Sequence, residues 1–486
     1  MVKTPKFVVV AASAMGVSTL SQGLAFFRQL LIAAYFGISR EIDVYVIAYV
    51  LATMVVFTFA STFDSAVVPR LVQARTDQGE GASRALAVSM FRWSVVLGAV
   101  ATAVLILLTP LLTPLVATGF DPAQRDALWD LILYFAPWTF LCLPYYAAAA
   151  RHKSERSFNR VFGAELIIGV VSIAFLVAFH NDVRFLPIAY GIGYAAGLAS
   201  LLPGAGLFPA TPAEGTHTGS VLRGVGELYL ANQTGAATGI VDRHFQSQVQ
   251  AGGIAALNYS MQLISGLAAL LTFREIYIVP LSEAHRRDEK VERLIIGLLL
   301  LAVPIVGLIV CFAHEIVYVL FQRGRFDAQA TELTGAVLQV YALTLITSTV
   351  ATPLARMLQI VGHTRLIHVM YVASALSLAF FGYLFVVRLS LGAWGAAWML
   401  VVSSFVTCGV SAVLVARCGV RLHWLRIVRY FVYAGLAATV AYAAAAIASG
   451  FADGPWPKLI LGGTAYAAVI SATYFAVRRR LRTISG

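Results

Sequence analysis

Apolar residues along this chain come in long runs, and polar residues come in short clusters between them. A helix needs about 20 mostly apolar residues to cross a bilayer. Runs of that kind fall at 7–36, 43–69, 87–117, 127–150, 159–179, 185–207, 222–241, 253–280, 294–320, 331–355, 366–387, 391–416, 427–449 and 459–477. The pattern predicts an all-α polytopic membrane protein of about 14 transmembrane helices. The seventh run is the most interrupted, by Glu227, Asn232, Gln233 and Thr234. The N-terminus, MVKTPKFVVVAASAMGV, has the basic start and apolar stretch of a signal peptide. Its apolar run continues to Phe36, too far for a cleaved segment, and reads as a retained first span.

Charge between the runs orients them. An even number of spans puts both termini on one side. The loops on that side carry 24 Lys and Arg, and the opposite loops carry eight: Arg40, Arg125, Arg184, Arg243, Arg323, Arg325, Arg388 and Lys458. Basic loops stay inside, so both termini are expected in the cytoplasm, with the protein in a bacterial inner membrane. The stretch PGAGLFPATPAEGTHTGSV at 203–221 is weakly apolar and rich in Pro, Gly and Thr, which reads as a linker. The expected organisation is an N-terminal six-helix lobe over 1–207 and a cytoplasmic linker over 208–221. A C-terminal six-helix lobe covers 222–416, and a helix pair with a basic tail covers 417–486.

Composition agrees with the pattern. The 486 residues are 59% hydrophobic and 12% charged, with a mean hydropathy of +0.81. Soluble domains are about 25% charged, so lipid must cover much of this surface. The net charge of +12 would suggest nucleic acid in a soluble protein. Here the basic residues sit in loops between apolar runs, and no nucleic-acid partner is expected. Cys142, Cys311, Cys408 and Cys418 include no CxxC pair, which argues against a disulfide framework or a metal site. The chain lacks GxxxxGK[ST], HExxH and GxSxG sequences. It holds no polar stretch long enough for a nucleotide-binding domain. The expectation is a transporter rather than an enzyme, with no cofactor.

Ionisable residues inside spans are costly and normally face a cavity or a partner. The candidates for such a role are Arg28, Asp64, Glu165, Glu227, Arg274 and Glu275. Arg28 lies about eight residues, or roughly 12 Å, from the end of its span, at the limit of snorkelling. It is expected to face a water-accessible cavity. Asp64 has Arg70 as a local partner, and Arg274 and Glu275 suit an interface. Gln22 and Gln262 are uncharged polar positions of the kind that tie helices together.

The stretch GLAFFRQLLIAAYFGISREIDVYVIAY at 23–49 resembles the first hairpin of the MurJ/MviN lipid II flippase family. That family belongs to the multidrug/oligosaccharidyl-lipid/polysaccharide exporter superfamily. The matching features are Arg28, the AxxFG turn at Ala33 to Gly37, Asp43, and the AVVP ending at Pro69. FQRGRFDAQATELT at 321–334 is similar to the family's FxxGxF segment. The resemblance implies a cavity between two six-helix lobes that binds the pyrophosphate and sugars of an undecaprenyl-linked glycan. It also implies alternating access, and a groove on the last two helices for the lipid tail. The implied substrate-binding residues are Arg28, Gln22, Asp43, Asp64 and Gln262, and the expected partners of a monomer are the glycan lipid and the bilayer. The chain departs from the family at three cavity arginines. One is replaced by Gln22, one falls on Val55 or Val56, and one falls near Met261 or Gln262. An exopolysaccharide repeat unit therefore stands beside a lipid II-like precursor as the implied cargo. The alternative reading is a cation-coupled drug or metabolite antiporter of the same superfamily, which would need an acidic ion site such as Asp64 or Glu165.

Overall fold

The computed structural model describes residues 4–207, 218–271, 287–360, 363 and 365–484, apart from some side chains inside helices. Among them are fifteen α-helices, one π-helical turn and no strand. The helices are α1 (Thr4–Phe36), α2 (Arg40–Gln78), α3 (Glu80–Val116), α4 (Pro122–Ser154), α5 (Phe158–Ala178), α6 (Phe185–Leu201), α7 (Thr218–Gln246) and α8 (Gly253–Leu271). They continue as α9 (Arg287–Phe321), α10 (Ala328–Tyr341), α11 (Thr344–Ile360), α12 (Arg365–Gly382), α13 (Gly392–Arg417), α14 (Trp424–Ser449) and α15 (Pro455–Ile484). The π-helical turn Tyr383–Arg388 extends α12. Among the described residues, eight segments are long and apolar enough to cross a membrane by length and composition, and Phe185–Leu201 is a shorter apolar helix.

Helix ends follow from sequence chemistry. α1 stops where Gly37 adopts a left-handed φ of +64° and its N–H donates to the Ala33 carbonyl at 2.8 Å. A side chain there would be strained. Ser39 then caps α2 by accepting the Ile42 N–H. Asp121 and Gln124 form a reciprocal capping box at the start of α4. The FxxGxF segment is built the same way: α9 ends at Phe321, Gly324 is left-handed at +59°, and Asp327 caps α10. The Phe321 and Phe326 rings close over Tyr259 of α8.

Two elements differ from the apolar runs. α2 passes through Pro69 and continues to Gln78. Its polar extension is held by Ser83 donating to the Leu71 carbonyl and by an Arg75–Glu80 ion pair at 2.7 Å. The run 331–355 is two helices, α10 and α11. At the break the Thr344 hydroxyl donates to the Tyr341 carbonyl at 2.7 Å, a local bond that competes with the helical one.

The chain divides into two compact units, residues 1–237 and 238–486, with the boundary inside α7. In unit 1, α4 packs against α2, α3 and α6, and α1 packs against α5. The run Ala147–Ala150 gives α4 a thin buried face that lets its neighbours approach. Val221 and Val225 of α7 join that core. In unit 2, α9 is the common neighbour of α10, α11, α14 and α15. Val291, Ile295, Leu299 and Val303 line one face of it at helical spacing and pack with residues of α11, α13 and α14. α14 and α15 pack as a pair. Buried Glu292 of α9 ties the pair down by accepting from the His423 backbone N–H, the His423 ring and Arg426 at 2.9–3.1 Å.

Candidate functional site

The site in unit 1 is assembled from four helices. α1 is seated on α5 where Leu24 lies over Gly169; a Cβ on that glycine would stand 3.1 Å from Leu24 Cδ1. Ile32, Ala33 and Phe36 are buried on the same helix. Gly193 and Gly197 leave α6 no room for a Cβ against Ser172 and Ile168 of α5. The aromatic side chains of α6 therefore reach the other neighbours. Tyr190 and Tyr194 are one turn apart on α6, Tyr45 and Tyr49 are one turn apart on α2, and Phe135 and Trp138 are nearly so on α4. These spacings put each pair on one helix face.

The six rings form a box. Tyr190 stands 5.5 Å from Tyr49 and 5.6 Å from Trp138, centroid to centroid. Tyr45 stands 5.9 Å from Phe135, and Tyr194 stands 5.9 Å from Trp138. Into this box α1 projects Arg28, whose guanidinium carbon lies 4.1 Å from the centre of the Tyr190 ring. That is a cation–π contact. Among the described residues Arg28 makes no ion pair, and its Nε is buried without a hydrogen-bond partner. Trp138 Nε1 is also buried without one. An aromatic face holds a guanidinium from above and leaves its in-plane N–H edge free. The box thus presents a positive charge and two unused donors, which suits an oxygen-rich anion.

The rings of the box include none of the other sequence candidates. Gln22 is exposed on α1. Asp43 is buried in the first turn of α2, where an acid suits the positive end of the helix. Gln262 is half-buried on α8, in unit 2. The side chains of Asp64 and Glu227, and all of Arg274 and Glu275, lie outside the described residues. Glu165 is half-buried on α5. Val56, at one departure from the family pattern, packs with Cys142 and Leu143 in apolar contact. Sequence reasoning missed the aromatic walls. The signal was present as YxxxY in two spans and FxxW in a third.

Fold and site together define an all-helical membrane transporter whose first unit encloses a cation, of the architecture shared by MurJ and multidrug MATE transporters. The chain belongs to the MurJ family: the family model "Lipid II flippase MurJ" matches residues 32–457. The lipid II flippase MurJ of Burkholderia cenocepacia is 26% identical over 359 residues, covering 68% of this chain and 69% of that protein. The solved structure of lipid II flippase MurJ in an inward closed conformation superposes with a TM-score of 0.78 at 17% identity, covering 96% of this chain and 99% of that one. An inward-facing multidrug resistance MATE transporter of the MOP superfamily gives 0.64 at 14%, with coverages of 84% and 94%. At those identities both structures speak to fold alone.

Proposed function

We propose that this protein moves an undecaprenyl-pyrophosphate-linked glycan precursor, lipid II-like or an exopolysaccharide repeat unit, from the inner to the outer leaflet of the cytoplasmic membrane by alternating access. Membership of the MurJ family supports the substrate class. The observation that carries the reading is Arg28, a half-buried cation that has no carboxylate paired to it among the described residues and a buried Nε without a partner. A pyrophosphate offers the oxygens to meet that N–H. Tyr190 orients the guanidinium from its face. Asp43, Gln22, Asp64 and Gln262 remain part of the proposed substrate-binding set, with both termini cytoplasmic and the protein acting as a monomer. A cation-coupled antiporter calls for an acid at the centre of a lobe. The box in unit 1 centres on the opposite charge.

The test is headgroup protection in proteoliposomes. Fluorescent lipid II, or an undecaprenyl-pyrophosphate oligosaccharide, is reconstituted with the purified protein, and a membrane-impermeant quencher reports the exposed fraction. The expected result is transfer of one of these lipids above the protein-free rate. No transfer of either overturns the proposal.

A further inference from the structure

Unit 1 holds a second cluster of guanidinium groups, well away in the fold from the aromatic box. A cavity of about 490 Å³ lies where α3 begins, α4 ends and the chain leaves α6. It is lined by Glu80, Arg84, Arg151 and the turn Leu202–Leu207. All three helix ends belong to the loops that the sequence marks as basic and inward. Arg151 is only 4% exposed and yet lines the cavity. Its terminal nitrogens reach Ser83 Oγ at 3.2 Å and the carboxylates of Glu80 and Glu155 at 2.6 Å. Its Nε is buried without a partner. Arg84 donates from Nε to the Gly206 carbonyl at 2.8 Å, which leaves its terminal nitrogens for another acceptor. Gly204 and Gly206 are left-handed at φ +83° and +63°. A Cβ on Gly204 would collide with the Arg160 guanidinium, and one on Gly206 would stand 3.0 Å from Arg84 Nε. Only glycine lets those two cations close on the turn.

Two guanidinium groups, Arg84 and Arg151, therefore line one small cavity, and a third, Arg160, packs against its turn. The carboxylate on its wall, Glu80, is half-exposed and shared, because Arg75 holds it at 2.7 Å from the other side. Glu80 can stay with Arg75 and give up Arg151. We infer that this cavity is an anion site for a phosphate group, separate from the Arg28 site, with Arg84 and Arg151 as its forks and Glu80 as a displaceable stand-in for the ligand. Planar guanidinium forks match phosphate oxygens two at a time. Basic pockets between helices at the inner membrane face receive anionic lipid headgroups, and a soluble phosphate offers the same chemistry.

The purified full-length protein tests this in two arms. Nanodiscs of phosphatidylcholine with and without phosphatidylglycerol supply the lipid source, and lipid retained through purification is counted by native mass spectrometry. Inorganic phosphate supplies the soluble source, read by thermal shift and by competition. Arg151 variants risk misfolding, so Arg84→Gln is the variant, with Arg125→Gln as a control in an opposite loop. The expected result is saturable retention of phosphatidylglycerol that weakens about fivefold in Arg84→Gln, the effect of roughly one surface cation, and stays unchanged in Arg125→Gln. Saturable phosphate binding with the same Arg84 dependence and no lipid retention would assign the soluble source. Neither ligand bound, or binding indifferent to Arg84→Gln, overturns the inference. Repeating the measurement in Arg28→Ala separates the two sites, because binding here must survive that change.

Discussion

Half-buried Arg28 in unit 1 and buried Arg243 in unit 2 both have a buried, unpartnered Nε, yet their surroundings make them opposites. Arg243, on the last turns of α7, bonds Gln246 and lies 3.9 Å from the Asp242 carboxylate. Gln246 in turn donates to Asp242 at 2.7 Å. Among the described residues Arg28 has a ring face and no ion pair. Arg243 is neutralised by its own helix, and its role is structural. Arg28 keeps its charge and its donors for something that arrives. A buried Nε does not separate the two cases, but the presence of a carboxylate does. Arg243 lies in the last turn of α7, just beyond the apolar run 222–241.

The contrast is easiest to break at Arg28. Arg28→Ala should reduce headgroup transfer in proteoliposomes by at least about 100-fold, since two charge-assisted bonds are worth ~1.5–3 kcal/mol each. Unfolding temperature should change little. Arg28→Lys should recover a minor part of the rate, because an ammonium keeps the charge and loses the fork. Transfer at the wild-type rate in the alanine variant would return Arg28 to the role of an interfacial anchor.

At Arg243 the expectation inverts. Arg243→Leu leaves the largely buried Asp242 carboxylate with Gln246 but no cation and should cost ~1–3 kcal/mol of stability, read as a lowered thermal midpoint in detergent. The double variant Asp242→Leu with Arg243→Leu should recover most of that loss, because removing both charges leaves nothing unpaired. A double variant no more stable than the single one would mean that Asp242 has a different partner.

Tyr190 gives a smaller effect with a sharper reading. A desolvated cation–π contact is worth about 2 kcal/mol, so Tyr190→Leu should slow transfer roughly 30-fold. Tyr190→Phe keeps the ring face and should stay near the wild-type rate. Equal losses in both variants would shift the role from the ring to the hydroxyl. The apparent substrate affinity and the maximal rate, measured separately, show whether orientation of Arg28 or retention of the lipid is affected.

Much of this could be read before any coordinates. Helix positions followed from apolar runs, because lipid imposes the length. Both family motifs proved to be turn chemistry: Gly37 with Ser39 in one, and Gly324 with Asp327 in the other. Arg28 stood out because a charge in a span is costly. The box did not, because tyrosines in apolar runs look like ordinary core until four helices bring them together. The Arg151 cavity escaped for a different reason. Its residues come from three loop regions up to about 130 positions apart, and basic loop residues read only as topology signals. Pairing between distant loops leaves no local pattern.

The smallest expected effect tests the departure at Gln22. The family resemblance puts an arginine there, six residues before Arg28, and this chain has an exposed glutamine on α1 instead. Six residues rotate a helix by about 600°, so positions 22 and 28 lie on different faces. Gln22 and Arg28 therefore cannot form one fork on the same phosphate by simple alignment. An arginine at position 22 would add a separate, solvent-screened contact of the kind that contributes modestly. Gln22→Arg is expected to raise lipid II transfer about two- to fivefold at low salt, and to lose that gain at high ionic strength. In a strain depleted of its essential lipid II flippase, the unmodified protein should support growth incompletely, and Gln22→Arg should improve it. Full rescue by the unmodified protein would show that Arg28 and its box are enough to hold lipid II. In that case the departures at Gln22, at Val55 or Val56, and near Gln262 would not define a change of cargo.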